Sequence, residues 1–237
     1  MDSADKNILI KIKEMAKLHP ERFRVVEAQI DIAVQLEYFD RLSVLRKQAH
    51  NADIEILSKT IFNIDSSEQE IKDALILLAS IAEPKAYRSI EKYLETPESK
   101  YKDWAMLAYH ASRLLLEMSL LDESLVFISS GLGGKQHKLR YSIVLLKNDK
   151  SEFVGFQHKI IKNEIEAGLE PVDSELEDLQ ICEGFIQILC LMPLYIDLKI
   201  VFENIVSEIN NYGVGLRSHV MITNEGIISK EDIQKNL

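Results

Sequence analysis

The chain has 237 residues, 46% hydrophobic and 28% charged, with only 9 Gly and 5 Pro, a composition of folded, helix-rich proteins and not of disordered ones. Its net charge of −10 is shared by both halves, so no Lys/Arg-rich face offers itself to nucleic-acid phosphates or to an anionic membrane. No apolar run is long enough to span a bilayer, and the start, MDSADKNILIKIKEMAKLH, lacks the apolar core and small-residue site of a secretory signal. Cys182 and Cys190 would lie about 26 Å apart on one extended strand, at ~3.3 Å per residue, too far for a disulfide. They read as reduced core residues of a cytoplasmic protein.

In chain order, Ile8, Ile12, Met15 and Ala16 mark one face of a first helix that Pro20 stops. Val25, Val26, Ile30, Ala33 and Val34 repeat the pattern, and Phe39, Leu42 and Leu45 extend it. Ile54, Leu57, Ile61 and Phe62 make a shorter helix. Ser67 with Glu70 forms a capping-box start for a helix carrying Ile71, Ala74, Leu75, Leu78 and Ala79. Pro84 then marks a turn before a partner helix with Tyr87, Ile90 and Tyr93, ended at Thr96-Pro97. The next helix carries Trp104, Leu107, Ala108, Ala111, Leu114 and Leu115. A turn at Leu121-Asp122 leads to Leu125, Val126 and Ile128, read as its shorter partner.

Two long-helix, tight-turn, shorter-helix units thus begin near Lys72-Asp73-Ala74 and Lys102-Asp103-Trp104, about 30 residues apart, within the range of helical repeats. Over residues 66–130 this resembles the HEAT-like class of α-helical repeats, with Asp122 matching the turn Asp of such repeats. The resemblance implies an extended surface for gripping another protein. A plain helical bundle accounts for the same periodicity.

Composition shifts at Gly131-Leu132-Gly133-Gly134. Lys135 follows, but the order is helix, glycines, strand, whereas phosphate loops run strand, loop, helix; the cluster reads as a helix end and linker. It divides the chain into a helical domain, 1–130, and a small α/β domain, 131–237. In the latter, Leu139–Leu146 reads as a strand, Phe153 to Ile165 as a helix closed by Gly168, Phe185–Met192 as a strand closed by Pro193, Leu198 to Ile209 as a helix, and His219–Thr223 as a strand. Ser229 with Asp232 caps a last short helix. The predicted class is therefore α+β and helix-dominated: paired antiparallel helices, then a βαβαβ-type region with parallel neighbours. Leu176, Leu179, Cys182, Ile186 and Leu189 also fit a helical face, and that alternative makes the protein all-α.

No catalytic, cofactor-binding or metal-ligating set is legible. The six histidines (19, 50, 110, 137, 158 and 219) share no i, i+3 or i, i+4 spacing and none lies near a cysteine, and no nucleophile elbow, Walker loop or dinucleotide fingerprint occurs. The feature that stands out is electrostatic. Between Lys162 and Lys199 there is no Lys or Arg, while nine carboxylates occur, among them Glu170, Asp173, Glu175, Glu177 and Asp178. Such a segment attracts a basic protein, and it equally describes a solvated loop. The leading expectation is a non-enzymatic, cytoplasmic protein-interaction module that presents Glu170, Asp173, Glu175, Glu177 and Asp178 to a basic partner, as an acidic inhibitor or immunity-type protein would. The alternatives are an enzyme with Asn148, Asp149, Thr223 and Asn224 clustered at the strand ends, and a structural subunit of a homo-oligomer.

Overall fold

A computed structural model describes every residue except 1–2, 97–99, 122–123, 150 and 237, and residues 3–10 by backbone only. In chain order the elements are α1 (Ser3–Leu18), β1 (Phe23–Val25), α2 (Ile32–Leu45), α3 (Ile54–Phe62), α4 (Glu68–Ala79), α5 (Pro84–Glu95), α6 (Lys102–Leu121), β2 (Val126–Ile128), β3 (Gly134–Lys135), β4 (Lys138–Lys147), α7 (Gly155–Leu169), β5 (Glu175–Cys182), β6 (Phe185–Pro193), α8 (Leu198–Asn211), β7 (Leu216–Thr223) and α9 (Lys230–Asn236). The protein is α+β with helix dominant. The chain forms two compact units, Ala28–Ser129 and Met1–Glu27 with Ser130–Leu237. Residues 1–27 therefore fall outside the helical unit in which a 1–130 division places them.

In the helical unit α2, α3 and α4 start where a side chain satisfies their free N–H groups. Asp31 accepts from Ala33 N at 2.7 Å, Asp53 from Glu55 N at 2.7 Å, and Ser67 with Glu70 closes a capping box. Pro84 is not a turn residue but occupies the first turn of α5, where a missing N–H costs nothing. Helix α2 begins at Ile32, so Val25, Val26 and Ile30 precede it. The β-branched pair Val25-Val26 lies in or beside extended chain, and Asp31 sets the helix start. Residues 126–128 are a strand, not the short partner helix expected there. The stop at Pro97 and the turn and repeat aspartate read at Asp122 lie outside the described residues.

Helices α2, α4 and α6 pack against one another, α3 packs on α4, and α5 packs on α3, α4 and α6. The core holds Tyr38, Leu75, Ile76, Leu78, Ile90, Trp104 and Leu107, all at most 2% exposed. Trp104 sits edge-on to Tyr38 at 5.2 Å between centroids and donates its Nε1–H to Lys72 O at 3.1 Å.

The second unit is built on an antiparallel sheet ordered β7-β4-β6-β5, with β3 folded back on the start of β4. The expected parallel neighbours do not occur. Strands joined by a helix do run in the same direction, as a crossover requires, but each such pair has an antiparallel strand inserted between its members: β6 between β4 and β5, and β4 between β6 and β7. This is the split β-α-β connectivity, used twice. Residues 175–182 form a strand missing from the βαβαβ expectation, and the helical alternative for 176–189 is overturned by a β5-β6 hairpin turning at Gly184, whose φ is +78°.

One sheet face, with Ile143, Leu145, Ile186, Ile188, Cys190 and Met192, packs under α7 and α8, which contribute Ile161, Ile165, Phe202, Ile205 and Ile209. Gly168 lets these helices approach: a Cβ there would stand 2.3 Å from Ile205 Cγ1. On the opposite face Val144, Leu146 and Phe185 are covered by Ile233 of α9. Of the face expected on α1, Ala16 is buried while Ile12 and Met15 are exposed.

Candidate partner-binding surface

Strand β5 carries most of the acidic segment and is an edge strand, paired only with β6. Edge strands expose unpaired backbone groups, and charge with a local bulge is how proteins keep a second chain from adding to them. Both devices are present. The β5-β6 register slips between Leu176 and Asp178. The extra residue lets Leu176, Leu179 and Ile181 all pack against the α7–α8 core. Glu175, Glu177 and Asp178 are left polar and at least partly exposed.

The sheet then brings them cations from the β3–β4 hairpin. Lys138 Nζ lies 3.1 Å from Asp173 Oδ1 and 2.9 Å from Glu175 Oε1, and Lys135 Nζ lies 3.2 Å from Glu175 Oε2. Arg140 grips Glu177 with two nitrogens, Nε and Nη2, the latter at 2.9 Å, and donates Nη1–H to Leu132 O at 2.8 Å. The register sets the buried Leu191 of β6 opposite both Arg140 and Glu175, so these pairs reach over a strand. The hydrogen bonds from Lys138 and Lys135 hold the Glu175 carboxyl below the ordinary glutamate range. Burial alone would lower the Lys138 pKa, but the hydrogen bonds to Glu175 and Asp173 outweigh it and raise it. The bond to Glu177 raises the Arg140 pKa.

Three of the five acidic residues singled out from the sequence are thus held by the protein's own cations. Asp178 accepts from Gln180 Nε2 at 2.8 Å and meets no cation. The side chain of Glu170, exposed in a short 3-10 turn after α7, meets neither a hydrogen-bond nor an ion-pair partner among the described residues. Counting charges inside the segment misses Lys135, Lys138 and Arg140, which lie 35–40 residues upstream. The signal for them was the same-face spacing of Lys138 and Arg140 in a strand that otherwise reads as apolar.

The polar cluster expected at the strand ends does not assemble. Because β7 is antiparallel to β4, Thr223 lies opposite Ser142 while Lys147 lies opposite Leu216. Asn148 and Asp149 follow one end of the sheet and Thr223 and Asn224 the other, roughly 20 Å away at ~3.4 Å per residue. Asp149 instead accepts from Ser151 Oγ at 2.7 Å, which lowers its pKa, and Thr223 Oγ1 accepts from Glu225 N at 3.1 Å. Among the described residues no group of three or more His, Cys, Asp and Glu could hold a metal ion. Cys190 is buried, which pushes its thiol up to about 12, far from a reactive thiolate. His110 is half-buried, edge-on to Tyr109 at 5.6 Å.

Among the described residues no helix is long and apolar enough to cross a membrane. The chain matches no family model and no curated protein sequence.

Proposed function

We propose that the protein is a non-enzymatic binding module for another protein, with the helical unit as its grip. The observation that carries this is the spacing of side-chain contacts within that unit. Lys85–Glu55, Ser58–Ser89, Arg41–Asp73, Trp104 to Lys72 O and Lys72–Glu37 join residues 30, 31, 32, 32 and 35 apart. Contacts at one recurrent separation are what successive units of a helical repeat make, each touching its neighbours. This supports the HEAT-like reading, and with it a surface built for a macromolecule.

The chain's charge of −10 favours a basic partner, and the unpaired Glu170 and Asp178 are the carboxylates free to meet one. Asp173, Glu175 and Glu177 contribute less, because a partner's cation would first have to displace Lys138 or Arg140. An inhibitor of the immunity type would fit this pattern. Free Cys182 and Cys190 support the same proposal's cytoplasmic setting.

The test is capture of a partner from the host's lysate at low salt, followed by hydrogen exchange on the complex. Slowed amides in α2–α6 are expected; protection confined to residues 130–237 would overturn the assignment of the grip to the helices. Retention unchanged in Glu170→Gln/Asp178→Asn, with the same salt dependence, would remove the electrostatic part alone.

A further inference from the structure

Helices α3 and α5 run parallel, and a groove lies between them. Glu55 meets Lys85 near their starts at 2.8 Å, the Ser58 and Ser89 hydroxyls meet midway at 2.7 Å, and Phe62 meets Lys92 and Tyr93 near their ends. The groove is lined by Lys59, Phe62, Pro84, Arg88 and Lys92, besides the serine pair and Lys85, with one exposed carboxylate, Glu83, where α5 starts. Its chemistry follows from α5, where Lys85, Arg88 and Lys92 recur at i, i+3 and i+7 and so share one face, opposite the buried Ala86, Ile90 and Tyr93. Lys85 is neutralised by Glu55. Among the described residues Lys59 and Arg88 form no salt bridge, though Lys59 adds to the positive field at Glu55, and Lys92 meets the face of the Phe62 ring, 5.7 Å from its ammonium. Phe62 is 43% exposed, and Pro84 with the lysine stems completes an apolar floor. In a protein of net charge −10, three cations without a salt bridge among the described residues, Lys59, Arg88 and Lys92, line one half-apolar groove and outnumber its one unpaired carboxylate, Glu83.

We propose that this groove docks an acidic peptide segment of a partner protein, its carboxylates on Lys59, Arg88 and Lys92 and one bulky apolar side chain against Phe62. The inference rests on the reading of the helical unit as a grip and adds where the grip closes and on what. Charge complementarity sets the sign of the ligand. Arg88 offers the planar fork that takes a carboxylate by two hydrogen bonds, and Lys59 and Lys92 act as point charges on either side. Single-stranded nucleic acid fits less well. It wants a continuous basic track and successive aromatic faces for base stacking, whereas the cations here span one short groove with the single ring of Phe62.

The experiment is to pan a random peptide library on the full-length protein, with Lys59→Gln/Arg88→Gln/Lys92→Gln as the counter-selection. All three side chains are exposed, and unchanged Trp104 fluorescence checks that the variant's helical unit is folded. Expected are peptides rich in Asp and Glu around one apolar residue, weakened about tenfold or more by the triple substitution and severalfold by Phe62→Ser. Enriched peptides without an acidic bias, or acidic ones that bind the variant equally well, would overturn the proposal. So would an oligothymidine probe that binds wild type and not the variant while no peptide does. A lysate partner captured equally by wild type and variant, with its footprint on other helices, would sink the groove and leave the binding-module reading standing.

Discussion

Lys138 is the member of the acidic cluster that lies inside the protein. Its side chain is 7% exposed, while its partners Asp173 and Glu175 are 67% and 45% exposed. The two halves of this ion triad therefore respond differently to loss of the other. Lys138→Met leaves two carboxylates that water already reaches and fills the buried volume with an apolar chain. The lost attraction is that of a half-exposed pair, about 0–1 kcal/mol. Asp173→Asn/Glu175→Gln leaves an ammonium with no counter-charge in a place water barely enters. For a fully buried pair that costs ~3–5 kcal/mol; the amide oxygens still accept hydrogen bonds, so about 2 kcal/mol is the expected loss. The triple variant should recover to within ~1 kcal/mol of wild type, since no buried charge is then left unmatched and Lys135, which loses Glu175, is 55% exposed. Trp104 lies in the helical unit, so the readout is amide exchange in β4 and β6, where 2 kcal/mol is about a 30-fold acceleration. The pH dependence has a defined sign. Glu175 has a lowered pKa, so its contribution is present above the ordinary value of 4.5 and is lost as pH falls through the folded value. Lys138 has a raised pKa, so its share is present below the ordinary 10.5 and is lost as pH rises through the folded value. The difference between wild type and Glu175→Gln should hold across neutral pH and shrink in acid. Lys138→Met costing as much as the double carboxylate variant would refute the reasoning.

Three further outcomes are expected. Gly168→Ala forces a methyl onto Ile205, costing ~1–3 kcal/mol of overpacking less up to ~1 kcal/mol of helix propensity, and in an Ile205→Ala background it becomes neutral or stabilising; equal effects in both backgrounds in amide exchange would disprove the contact. Tyr38→Phe removes a fully buried hydroxyl that has no hydrogen-bond partner and should stabilise the helical unit by about 1 kcal/mol, read as a higher urea midpoint of Trp104 fluorescence; a clear loss would show that the hydroxyl has a partner after all. Ile233→Ala should cost ~2–4 kcal/mol of the contact between α9 and Val144, Leu146 and Phe185, seen as faster exchange from residue 228 onward, and unchanged exchange there would show that α9 does not seal that face.

The helices were legible because their periodicity and their caps agree. Ser67 with Glu70, and the runs through Ile54, Trp104 and Phe202, each mark an element that forms where expected. The sheet was half legible. Leu139–Leu146 and Phe185–Met192 read as strands from composition, but pairing is a matter of chain-distant neighbours that composition does not record. Strand β5 was hidden by its own irregularity: the bulge between Leu176 and Asp178 converts a two-residue repeat into the three-residue spacing of Leu176 and Leu179, which mimics a helix. The acidic residues were legible as a set, and their neutralisation was not, since Arg140 and Glu177 are 37 positions apart and meet only across β6. The groove of α3 and α5 escaped for a similar reason. Lys59, Arg88 and Lys92 are unremarkable in a charge count and come together only when α3 and α5 lie side by side.

The unit that holds the sheet is assembled from two stretches of chain, with 102 residues (Ala28–Ser129) lying between them. During synthesis at ~5–20 residues per second, Phe23, Val25 and Val26, all buried in the finished protein, wait roughly 5–20 s before the first residue of their own core follows. The helical unit needs no such delay, because it is one continuous stretch of chain in which contacts such as Lys85–Glu55, Ser58–Ser89 and Arg41–Asp73 join residues only 30–32 apart. The order of assembly is therefore inverted with respect to the order of the chain, with the middle forming first and the two ends last.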